Sequence, residues 1–197
     1  MGTIFVLITG TLFHFIYDWS GKNFLLGFFF PTNESTWEHM KLSFFPMLIY
    51  SFYMNRKLRA DHPCVTSALL SGTLLSTFLI PVLFYTYSGI LGYHLMPLDI
   101  STFVVSVILG FVAVYRLTMS CKMQPYANFL EMLVFIAAVC FVIFTYHPPD
   151  IGIFTKPAVS SVSFDIRHSE TYYNTNISDG ICNEQLFQSL LSLRNRL

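Results

Sequence analysis

The sequence is poor in charge. Asp, Glu, Lys and Arg make up 11% of its 197 residues, against roughly 25% in soluble domains. The formal net charge is zero, so the electrostatic footprint of a nucleic-acid-binding protein is missing and no nucleic-acid partner is expected. Zinc spacings such as C-x-x-C, H-x-x-x-H and H-E-x-x-H are absent, which leaves no motif-level case for a metal and no cofactor to name. There is no basic stretch before the first apolar run and no A-x-A-like site after it. That run is therefore expected to be a retained membrane span rather than a cleaved signal.

Apolar residues fill the gap. Hydrophobic residues reach 54%, with 21 phenylalanines, and the mean hydropathy is +0.57. A hydrocarbon core of roughly 30 Å needs about 20 apolar residues per helix. Five stretches meet or approach that length: about 2–18, 38–54, 64–87, 99–118 and 125–146. The expected fold is an all-α polytopic membrane helix bundle over residues 1–155, with about five transmembrane helices and the lipid bilayer as its main partner. Pro46 and Pro81 fall inside two of the spans, where neighbouring helices can satisfy the freed carbonyls. NFLLGFFFP at 23–31 is too short to cross and reads as an interfacial or re-entrant segment.

Basic residues orient the bundle. Arg56, Lys57 and Arg59 lie in one loop, Arg116 and Lys122 in another, and the loop at 88–98 has none. This places the protein in a cell membrane as a multi-pass chain with a cytoplasmic N-terminus. Residues 156–197 are then an extracytoplasmic tail, partly disordered, ending in a short amphipathic helix over NEQLFQSLLSLRNRL. Cys64 and Cys121 fall at the cytoplasmic ends, Cys140 within the fifth span and Cys182 in the tail, so no structural disulfide is expected. A bundle of this size is of the kind that forms homo-oligomers, and the sequence specifies no number.

The most polar stretch between two apolar flanks is PTNESTWEHMK, residues 31–41. It has an ordinary reading. Ser35-x-x-Glu38 matches a capping box, the serine hydroxyl taking one orphan amide and the glutamate reaching back to the other. Trp37 suits an aromatic belt, and Glu38 and Lys41 can pair. The sharper reading is a ligand- or ion-binding cluster. Glu34, Glu38 and Lys41 fall at i, i+4 and i+7, His39 sits among them, and His14 and Asp18 lie at the expected outer end of the first span. Imidazoles and carboxylates together can bind a divalent cation, relay protons or grip a polar ligand. Polar groups in a membrane helix are costly, which makes each a site hypothesis. Asn128 and Glu131 in the fifth span qualify too. An interhelical hydrogen bond is their simpler role, and an ion pathway the other. No catalytic residue is assigned. An uncharacterised membrane protein with an outer polar cluster, a membrane-embedded enzyme using His14, Asp18, Glu38 and His39, and a small transporter using Asn128 and Glu131 all remain open.

Three segments resemble a known family: FHFIYDWSGKN at 13–23, GFFFPTNESTWEHMKLSFFPML at 27–48 and YHPPDIGIF at 146–154. Together they are similar to DUF6512, bacterial multi-pass membrane proteins of unknown function. The resemblance covers about residues 5–155. It implies an integral membrane protein without an assigned activity, and it leaves the tail from about 158 outside the family pattern.

Overall fold

A computed structural model describes residues 1–155, and all of their regular structure is helical. The expected amphipathic helix near the C-terminus lies outside the described residues. Five long helices alternate in direction: α1 (Gly2–Trp19), α3 (Thr36–Leu58), α4 (Val65–Leu91), α5 (Met96–Ser120) and α6 (Ala127–Tyr146). A single turn, α2 (Phe24–Gly27), sits inside the segment expected to be interfacial. Short 3₁₀ turns at Gln124–Tyr126 and Gly152–Phe154 flank α6.

Four of the five, α1, α4, α5 and the stretch containing α6, are long and apolar enough to cross a membrane. Helix α3 has 23 residues, long enough at about 1.5 Å per residue. It is not apolar enough, because it carries Glu38, Lys41, Ser43 and Ser51. All four are buried, and residues 40–47 form an unbroken buried run. Helix α3 is shielded by protein rather than by lipid, packing on α1, α4 and α6. A hydropathy scale measures fitness for lipid, so it scores such a helix low. The opposite case is α6, where 11% of the most apolar window is buried and Phe135, Ile136 and Ile143 face outward.

The helices meet through small and hydroxylated residues, as membrane bundles do. The crossing of α4 and α5 is the most extensive contact. There Gly72 and Gly110 lie against each other's backbone, and a Cβ on Gly110 would come 2.7 Å from the Ser76 Cβ. Ser76 also shares a 2.6 Å hydrogen bond with Ser43, which ties α4 to α3. Met40, Phe44, Phe45, Val134 and Phe141 form the larger apolar core, and Trp37 packs against it. Trp37 lies between Phe141 and Phe154, so it serves interior packing more than an outer belt.

One expectation is corrected. Cys64 and Cys121 form a disulfide, with Cα atoms 5.2 Å apart. Cys64 precedes α4 and Cys121 follows α5. These helices are antiparallel neighbours, so their ends meet. Compartment alone carries no information on which helix ends are adjacent.

Candidate metal centre

The stretch at 31–41 builds two arrangements that face opposite ways. The first starts and anchors α3. Ser35 is the N-cap in extended conformation, and its hydroxyl accepts the Glu38 amide at 3.4 Å. Only half of the capping box forms. The Ser35 amide donates to Asn33 Oδ1 at 2.8 Å, which leaves no call on Glu38. The Glu38 carboxylate turns inward instead. Its Oε2 accepts the Thr32 amide at 2.8 Å, the Thr32 hydroxyl at 3.2 Å and the Lys41 ammonium at 2.9 Å.

Lys41 is fully buried and Glu38 almost so. An ammonium has three protons to place. Lys41 donates them to Glu38, to the Gly27 carbonyl at 3.2 Å and to Thr145 Oγ1 at 2.6 Å. Thr145 in turn donates to the Phe141 carbonyl. The pair therefore links α3, α6 and the loop before α3. Gly27, the last residue of α2, packs closely there: a Cβ would meet the Tyr146 hydroxyl and the Thr32 methyl, which would have to shift.

The second arrangement is on the rim. Glu34 precedes the helix, which begins at Thr36, so Glu34 does not share a stripe with Glu38 and Lys41 as the i, i+4, i+7 spacing suggested. It faces two imidazoles. Its carboxylate oxygens lie 3.3 Å from His39 Nε2 and 3.8 Å from His14 Nε2. The two rings are 5.4 Å apart. One ligand atom from each of His14, Glu34 and His39 falls within 4.8 Å of the others. Tetrahedral zinc, with bonds of about 2.0–2.2 Å, holds its ligand atoms about 3.3–3.6 Å apart. The two imidazole–carboxylate separations, 3.3 and 3.8 Å, are near that size, the trio as a whole is somewhat wider, and its members come from three separate segments.

The chemistry at His39 is pointed. Its Nδ1 lies 2.9 Å from the Ser35 carbonyl. A carbonyl only accepts, so Nδ1 carries the proton and Nε2 of the neutral ring presents a lone pair. That lone pair faces a carboxylate oxygen at 3.3 Å. Two electron-rich atoms at this distance need a positive charge between them, either a second proton or a metal ion. An imidazole held by a carbonyl on its far nitrogen is also the usual arrangement of a metal-bound histidine. His14 has no such support, because its Nδ1 is buried without a hydrogen-bond partner. The Glu34 side chain is 67% exposed, so water reaches the trio from one side.

A further group shares the rim. His94 Nδ1 donates to Asp99 Oδ2 at 3.2 Å, and the Tyr87 hydroxyl donates to Asp99 Oδ1. Asp99 lies within electrostatic reach of His39. His94 Nε2 is buried without a partner. Asp18 is exposed and is not in the trio. Asn128 and Glu131, near the other end of the bundle, are exposed. Glu131 borders a groove of about 510 Å³ with Ser51, Asn55 and Thr66, and Glu38 does not line it. Sequence reasoning missed Thr32, Thr145 and Tyr87. Hydroxyls in or beside apolar helices are common, and only their partners distinguish these three.

No curated protein and no solved structure matches the chain. The model of one family, described as a family of unknown function, matches residues 1–162. That span contains the whole helical bundle and the polar stretch at its centre: the chain belongs to DUF6512.

Proposed function

We propose that this is an integral membrane protein that binds a divalent transition-metal ion at its extracytoplasmic rim through His14, Glu34 and His39. The observation that carries the reading is the His39 ring, whose Nε2 is set 3.3 Å from the Glu34 carboxylate by the Ser35 carbonyl behind it, a separation that a metal ion or a second ring proton can bridge. Two imidazoles and a carboxylate suit zinc and its neighbours among the first-row metals. The Lys and Arg distribution supports placing the polar rim outside and the Arg56–Arg59 loop inside; the Cys64–Cys121 disulfide beside that loop favours an oxidising compartment there and is the observation against this orientation.

A second reading has its own support. Three protein ligands leave a coordination position for water, the arrangement of catalytic zinc sites. The Tyr87–Asp99–His94 group on the same rim has the form of a general base, with an orienting carboxylate on one ring nitrogen and the other nitrogen unpartnered. A metal-dependent hydrolase would use His94 to accept the proton of that water.

The test is elemental analysis of the detergent-purified chain, followed by zinc titration. About one zinc per chain is expected, bound by the wild type and by His94→Ala, and lost in His39→Ala and Glu34→Gln. A wild-type chain that carries no metal and takes up no zinc would sink both readings. Should metal bind while no hydrolytic activity depends on His94, the second reading alone falls.

A further inference from the structure

The rim trio depends on a residue that no helix holds. Glu34 sits in the connection between α2 and α3, and a loop carboxylate must be held in place if it is to meet two rings on two helices. A ligand fixed in advance binds more tightly, because the ordering cost is met on folding.

The loop is held locally by Asn33, which accepts the Ser35 amide across Glu34, and from the interior by the buried pair. Glu38 takes both the amide and the hydroxyl of Thr32, two residues before Glu34. Lys41 donates to the Gly27 carbonyl, at the end of α2 where the connection begins. Tyr146 adds a 2.7 Å hydrogen bond to the Phe24 carbonyl. Glu38, His39 and Lys41 lie on one turn of α3. The turn that carries a proposed ligand thus also grips the strand of chain that carries another.

We propose, resting on the metal reading above, that Glu38 and Lys41 are positioning residues of the metal centre: their buried pair grips the backbone at Gly27 and Thr32 and thereby sets the Glu34 carboxylate opposite His14 and His39. Neither residue touches the ion. Thr145 belongs to the same device, since it receives the remaining Lys41 proton.

Cobalt(II) is the probe, because its visible absorption reports ligand identity as well as occupancy. The full chain in detergent is titrated as wild type, Glu34→Gln, Glu38→Gln and Thr145→Val, with thermal unfolding followed in parallel. Glu38→Gln is expected to bind cobalt about 10–100-fold more weakly, the usual effect of losing an outer-shell partner. Its spectrum is expected to move toward that of Glu34→Gln, because the carboxylate is no longer delivered. Thr145→Val, a milder change, is expected to shift affinity and spectrum in the same direction by a smaller amount. It carries the test should Glu38→Gln not fold.

A merely structural role predicts something else: less folded protein, with an unchanged spectrum and affinity in the part that is folded. That result in Glu38→Gln, or in Thr145→Val where Glu38→Gln does not fold, overturns the proposal and leaves the metal reading standing. A wild-type chain that binds no cobalt overturns both.

Discussion

Residues 31–41 contribute to two ionic arrangements of opposite character, the outer one completed by His14. The inner one, Glu38 with Lys41, is closed: every ammonium proton has an acceptor, and water is excluded. The rim trio of His14, Glu34 and His39 is open, with two imidazole nitrogens facing a carboxylate and Glu34 reachable from solvent. Similar side chains thus do different work according to where they sit. A buried, fully hydrogen-bonded pair fixes structure, and a partly exposed group of imidazoles and a carboxylate is accessible to solvent.

The contrast can be broken most severely from the inside. Lys41→Met leaves the Glu38 carboxylate buried without its cation, a change worth about 3–5 kcal/mol. A sharp fall in thermal stability and in yield of folded protein is expected by size-exclusion chromatography in detergent. Pairing it with Glu38→Gln removes the stranded charge and should recover part of the stability. A double variant no more stable than Lys41→Met would show that packing, not charge, dominates there.

A break remote from both arrangements comes next. Cys64→Ser opens the link between α4 and α5, and a disulfide closing a long loop typically contributes about 2–4 kcal/mol. The unfolding temperature should drop while zinc affinity stays put. A matching loss of affinity would mean that the two ends of the bundle are energetically joined.

On the rim the order of effects reverses. His39→Ala should cost on the order of a hundredfold in zinc affinity, at least as much as losing an outer-shell partner, with little change in stability because the ring is partly exposed. Competition with a chromophoric chelator reads this directly. The smallest effect is expected at Asp18. Asp18→Asn should leave zinc affinity within about twofold, since the exposed carboxylate stands outside the trio. An effect as large as that of His39→Ala would redraw the site.

Much of the bundle was legible beforehand because lipid imposes length and apolarity on any helix it touches. Helices α1, α4, α5 and α6 carry that signature in their own residues. Helix α3 was legible for a different reason, its capping serine and its apolar run from Leu42. Its polar residues looked like an anomaly because nothing local says that α1, α4 and α6 surround them. Glu34, His39 and His14 were identifiable as candidates from residue type and position. Their grouping was not, because the stripe drawn through Glu34, Glu38 and Lys41 assumed a helix that starts two residues later. Asp18 entered by its i, i+4 spacing from His14 and lies outside the trio. The disulfide was missed because two cysteines 57 residues apart have no local relation.

What the sequence determined by itself was the solvent. Scarce charge and long apolar runs give this chain helices long and apolar enough for a membrane, where each peptide group must be hydrogen-bonded within its own segment. What only the tertiary structure decided was the sorting of PTNESTWEHMK into an inner clamp and an outer cluster. The helix begins at Thr36 rather than Glu34, and that offset turns Glu34 toward His14 and His39 while Glu38 and Lys41 face Thr32, Gly27 and Thr145. Partners drawn from residues 14 to 145 are set by where the helices cross, and no short stretch of sequence contains that information.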